Sequence, residues 1–155
     1  MYKRQGYHYG AKHHEELQGL LRRSIGILSV GALLLTAAGE LLASLLANIF
    51  VSYDAGLLEM TRQGFRIYSL SYLICGFSIF GSAFFTALNN GLVSAVISFA
   101  RTLVFQIICV LVLPLFLELN GVWSSIIVAE FLGVVVTVVL LIANRKKYHY
   151  FRSRR

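Results

Sequence analysis

The strongest constraint on this chain is a set of three long apolar runs, residues 65–88, 92–117 and 122–143, separated by short polar turns. A helix needs about 20 mostly apolar residues to cross roughly 30 Å of hydrocarbon, and each run supplies that. A fourth stretch, 24–51, is apolar except for Glu40. It is too long for one upright helix and too short for two. The residues predict a spanning helix over 20–39, broken near Glu40, and then an interfacial segment at 41–50. One strongly tilted helix is the alternative. The expected fold is an all-α integral membrane protein with four transmembrane helices.

The charges support this. Only 14% of the residues are charged, against roughly 25% in soluble domains, and they cluster between the apolar runs. Four spans put both termini on one side. Of the 14 Lys and Arg, all but Arg62 and Arg66 then fall on that side. The positive-inside rule makes it the cytoplasm, which predicts a multi-pass protein of the plasma membrane with both termini cytoplasmic. The net charge of +7 reflects that topology and an attraction to anionic lipid. The expected partner is the bilayer, and nucleic acid is not.

Residues 1–5, MYKRQ, match what a widely used transposon-based sequencing adapter encodes when a GTG triplet is read as the start codon. They are expected to be an artefact preceding a chain that enters at Gly6. Residues 6–23 read as a cytoplasmic loop and the start of an amphipathic helix, 24–144 as the four-helix membrane domain, and 145–155 as a basic cytoplasmic tail. The first run follows a charged arm without a small-residue cleavage pattern, unlike a secretory signal. Asn89-Asn90-Gly91 predicts a tight cytoplasmic turn and Asn120-Gly121 the corresponding turn outside. Pro114 is expected to bend or finish the third helix. Cys75 and Cys109 lie inside spans and read as structural thiols. His8, His13, His14 and His149 lack metal-ligand spacing. No phosphate loop, Ser-His-Asp set or H-E-x-x-H motif is present, so no enzyme, metal site or cofactor is expected.

Four stretches carry a family resemblance. GYHYGAKHHEEL resembles a G-Y-N-Y-G-A-K segment, and RQGFRIYSLSYLICGFSIFGSAFFTALNN resembles R-I-Y-x-L followed by an apolar run and F-F-x-A-L-G. SFARTLVFQIICVLVLP is similar to S-x-x-R-x-x-x-F before a proline, and LNGVWSSIIVAEFLG to L-N-G-V-W-x-x-x-P-x-A-E. In this order and spacing they resemble the multidrug and toxic compound extrusion (MATE) transporters. The resemblance implies a twelve-helix fold in two six-helix lobes, of which this chain supplies helices nine to twelve. It also implies a fragment of an antiporter that expels organic cations or drugs in exchange for Na⁺ or H⁺ by alternating access, with the missing N-terminal helices as its partner. Ile127 and Ile108 stand where the family often has proline. A small four-helix protein that oligomerises as an exporter, a structural or regulatory subunit, and a lipid-linked sugar flippase of the same superfamily are the alternatives.

Glu130 is the sharpest candidate. It lies nine residues past Gly121, about 14 Å along a helix, where an ionisable group should face protein or a watery cavity. Trp123, Glu130 and Thr137 recur every seven residues, with Gly133 beside them. Glu130 is either a carboxyl that couples to a proton or cation, or a hydrogen-bonded tie to a neighbouring helix. Arg101 shares a polar stripe with Ser94, Ser98, Thr102 and Gln106. That stripe lines a cavity or bonds between helices, and Arg101 could also snorkel to the interface. Ser71, Cys75, Ser78, Ser82 and Thr86 form another stripe, suited to tight packing. The resemblance puts that helix beside the central cavity, which makes Tyr68 and Tyr72 candidates to stack on cationic or aromatic drugs. Arg101 and Gln106 complete the cavity candidates.

Overall fold

In the computed structural model, which describes residues 14–148, one unbroken helix, α1 (His14–Val51), covers the whole first apolar stretch. The expected break at Glu40 and the interfacial segment after it are absent. The sequence around Glu40, AAGELLA, has no proline and is mostly strong helix formers. The carboxyl also has a partner on the next helix, so its polarity does not drive the chain out. With 38 residues, α1 is about 57 Å long at 1.5 Å per residue. It must lean strongly or project beyond the apolar layer.

The second run is where the break falls. It divides into α2 (Ala55–Ser69) and α3 (Tyr72–Ala87), bent by 42° across Leu70 and Ser71. Asp54 starts α2 as its cap, its Oδ1 accepting from the Gly56 and Leu57 amides at 2.8 and 3.0 Å. At the break the Leu70 amide bonds the Ile67 carbonyl at 3.3 Å, a tightened last turn.

Asn89-Asn90-Gly91 turns the chain as expected. Asn89 takes the left-handed conformation, φ 58°, which Asn tolerates better than most residues, and Asn90 Oδ1 accepts from the Val93 amide at 3.3 Å. The third run is α4 (Gly91–Phe99), a π-helical segment (Ala100–Phe105) and α5 (Gln106–Val112). It stops at Val112 rather than near residue 117, because Pro114 removes an amide donor and its ring clashes with the preceding turn.

The last helix, α6 (Pro114–Tyr148), begins at that proline and kinks at Glu118, φ 50°, ψ −130°. The turn expected at Asn120-Gly121 is therefore displaced to Leu113 and Glu118. Gly121 serves close approach: a Cβ there would lie 2.5 Å from the Leu113 carbonyl oxygen. Three helices are long and apolar enough to cross a membrane, or four when the bent α2–α3 pair is one span. Large apolar side chains such as Leu34, Leu41 and Ile49 are exposed along α1, as lipid permits and water does not. The chain is an all-α membrane protein.

Where the start of α1, the end of α3, α4 and the end of α6 converge, Leu21, Phe84, Phe85, Leu88, Ile97 and Tyr148 form a buried cluster. Phe85 and Tyr148 meet edge to face with ring centroids 6.5 Å apart. The residue 1–5 segment, the loop up to residue 13, and the tail beyond Tyr148 lie outside the described residues, with His8, His13 and His149.

Candidate functional site

The seven-residue recurrence on α6 is a packing seam, and each member meets a glycine or a polar partner. The Trp123 ring lies over Gly64 of α2, where a Cβ would come within 2.6 Å of Cε2. Thr137 fills the space beside Gly81 of α3, its methyl against the position a Cβ would take. Gly133 leaves room for the Arg101 stem, whose Cγ would be 2.9 Å from a Cβ there. Small residues let helices approach closely where lipid offers no hydrophobic drive.

Glu130 sits in the middle of this seam, 9% exposed. Its Oε1 accepts from Arg101 Nη1 at 2.9 Å and its Oε2 from Ser78 Oγ at 3.2 Å. Arg101 therefore turns inward and does not snorkel; its side chain is 18% exposed. The two intramembrane charges expected separately from the sequence neutralise each other. Ser78 adds a third helix, so α3, the π-helical segment and α6 join at one point.

The polar stripe around Arg101 divides at the π-helical segment. Ser94 and Ser98 face α3, with Ser82 Oγ 2.8 Å from Ser94 Oγ and 2.7 Å from Ser98 Oγ, and Thr86 Oγ1 2.7 Å from Ser94 Oγ. Thr102 is exposed and returns its hydroxyl to the Ser98 carbonyl at 2.6 Å. Wider turns rotate whatever follows them, and such segments recur at functional sites. Gln106 ends up in a shallow groove of α5 with Ile107, Val110 and Leu111, apart from the tyrosines it was grouped with.

Tyr68 and Tyr72 do come together. Their rings meet edge to face at 5.9 Å and line a cleft of about 310 Å³ with Gly39, Phe65, Ser69 and Trp123. The walls come from α1, α2, α3 and α6. The cleft is aromatic and sits at the bend between α2 and α3.

One polar residue of this region was missed from the sequence. Glu40 of α1 lies next to Gly39 on the cleft wall, with Oε1 2.6 Å from Ser69 Oγ. Gly39 permits this: a Cβ there would be 2.8 Å from the Ser69 Cβ. The signal was available, since Glu40 interrupts an apolar run just as Glu130 does. The ion pairs among the described residues are Arg101–Glu130 and the surface pair Arg62–Glu59, so Glu40 has no cationic partner there.

Comparison with known families matches MatE over residues 3–112. The match takes in α1 to α5 with Glu40, Tyr68, Tyr72 and Arg101, and ends before α6. Comparison with curated proteins and with solved structures finds no match. With most of its length matched, this chain belongs to the MatE family of membrane transporters.

Proposed function

We propose that the chain is part of an antiporter of the plasma membrane that expels organic cations or drugs in exchange for Na⁺ or H⁺. The observation that carries this reading is the cleft at the α2–α3 bend. Tyr68, Tyr72, Phe65 and Trp123 line it, and aromatic faces attract organic cations, at about 0.5–2 kcal/mol per contact. A bend within a span is the place where transporter helices commonly change shape around a substrate. Alternating access needs a second bundle, so this reading includes helices encoded upstream, with both termini of the present chain cytoplasmic.

Glu130 is the proposed coupling carboxylate. Its charge is held by Arg101 and Ser78, so an incoming Na⁺ or H⁺ competes with Arg101 for it. Displacing the guanidinium would loosen the junction of three helices, which links ion binding to movement. Tyr68 and Tyr72 are the proposed substrate contacts. The separate position of Gln106 does not support it as one.

The test is dye efflux from cells that lack their own exporters and express the full gene, including any upstream helices in frame. Efflux that depends on an Na⁺ or H⁺ gradient, and that loses this dependence in Glu130→Gln, supports the reading. Wild-type efflux indistinguishable from empty cells overturns it.

A further inference from the structure

One side of α3 joins the aromatic cleft to the Arg101–Glu130 pair. Tyr72, Cys75 and Ser78 follow one another at steps of three, which makes them neighbours along the helix surface. Tyr72 lines the cleft. Cys75 Sγ lies 4.0 Å from the Tyr72 carbonyl oxygen. Ser78 Oγ lies 3.2 Å from the Cys75 carbonyl oxygen and 3.2 Å from Glu130 Oε2. From Tyr72 to Ser78 the rise is about 9 Å at 1.5 Å per residue. The cleft and the buried carboxylate are therefore near neighbours.

Tyr68 closes the distance from α2. It lines the cleft and meets the Tyr72 ring edge to face at 5.9 Å. Its electrostatic partners are Tyr72, Cys75 and Glu130, so the member of the ion pair that reaches it is the carboxylate. Cys75 interacts with both Glu130 and Arg101. The thiol thus stands between the tyrosines and the ion pair, and it is half-buried where Cys109 is buried.

From this placement we propose that the aromatic cleft and the Arg101–Glu130 pair are two ends of one cation site, with Cys75 at their junction. An organic cation stacked on Tyr68 and Tyr72 is attracted by the Glu130 carboxylate, although Glu130 does not line the cleft. A small cation that reaches Glu130 repels it. The two ligands oppose each other through charge and share no atoms. Glu130 is then a determinant of the affinity of the cleft, beyond its part in holding three helices together.

This deepens the transport reading and rests on the cleft being a cation site. The experiment adds charge at the junction after folding, with the full chain in vesicles of neutral lipid. Tetraphenylphosphonium binding is read from Trp123 fluorescence before and after Cys75 reacts with one of two thiol reagents. Aminoethyl methanethiosulfonate adds a positive charge, and sulfonatoethyl methanethiosulfonate adds a negative one of similar size.

Tetraphenylphosphonium should slow both reactions at Cys75. The positive adduct should bind it roughly tenfold more weakly than the negative adduct, the scale of a charge about 10 Å away in a partly polar interior. Cys75→Ser should bind it like the parent chain and lose both reagent effects. Glu130→Gln should weaken binding in the unmodified chain, and the adducts carry the test if that variant fails to fold. Equal affinities for the two adducts, an unreactive Cys75, or reaction rates that ignore tetraphenylphosphonium overturn the inference and leave the cleft a cation site. A cleft that binds no tetraphenylphosphonium overturns both. The expected charge dependence alongside a failed efflux assay removes the transport role and leaves the joint site.

Discussion

Arg101 and Glu130, 29 residues apart in the chain, meet at 2.9 Å in the middle of the bundle, and among the described residues neither forms another ion pair. Burying two charges is costly, and their attraction offsets that cost only while both are present. Removing either one strands the other.

Arg101→Ala alone should therefore destabilise the chain by about 3–5 kcal/mol, and so should Glu130→Ala. The double variant Arg101→Met with Glu130→Leu should recover most of that loss. Unfolding in mild detergent measures all three. Additive losses in the double variant would show that the pair contributes nothing as a pair.

The α3–α6 contact gives a second expectation. A Cβ at Gly81 collides with the Thr137 methyl, so Gly81→Ala should cost about 1–3 kcal/mol through overpacking. Thr137→Ser removes that methyl and keeps the hydroxyl that donates to the Gly133 carbonyl at 2.8 Å. Gly81→Ala with Thr137→Ser should be more stable than Gly81→Ala alone. The same unfolding assay reads the difference, and no rescue would place the strain elsewhere.

These contacts mark how far the sequence could be read. The polar face of α6 was legible because Trp123, Glu130 and Thr137 repeat at helical spacing, which needs only local geometry. Arg101 and Glu130 were each flagged as intramembrane charges. Their pairing was not, since helix rotation about the bundle is set by packing, and the π-helical segment at Ala100–Phe105 shifts the stripe that seemed to tie Gln106 to Arg101. Glu40 was taken as a break because a charge in an apolar run resembles a helix end. Its partner Ser69 comes from the next span, where the real break sits without a proline or glycine to announce it. Turns with a backbone signature, Asn89-Asn90-Gly91 and Pro114, were read correctly as places where the helix stops. Asn120-Gly121 misled because its glycine serves close approach to Leu113.

Gln106 provides a discriminating control. It lies in the α5 groove with Ile107, Val110 and Leu111, away from the aromatic cleft. Gln106→Ala should leave the affinity for an organic cation within about twofold, the range of a surface substitution. A dye-binding titration checks this. A large loss would mean that the α5 groove takes part in binding.

Trp123 makes the cleft measurable, because it is the single tryptophan of the chain and it lines the cleft beside Tyr68 and Tyr72. The most direct test of the account is a titration of its fluorescence with tetraphenylphosphonium in the full chain. The account predicts a saturable change, weakened on the order of tenfold in Tyr68→Ala with Tyr72→Ala, from the loss of two aromatic contacts. A non-saturable response, or an equal affinity in the double variant, would contradict it.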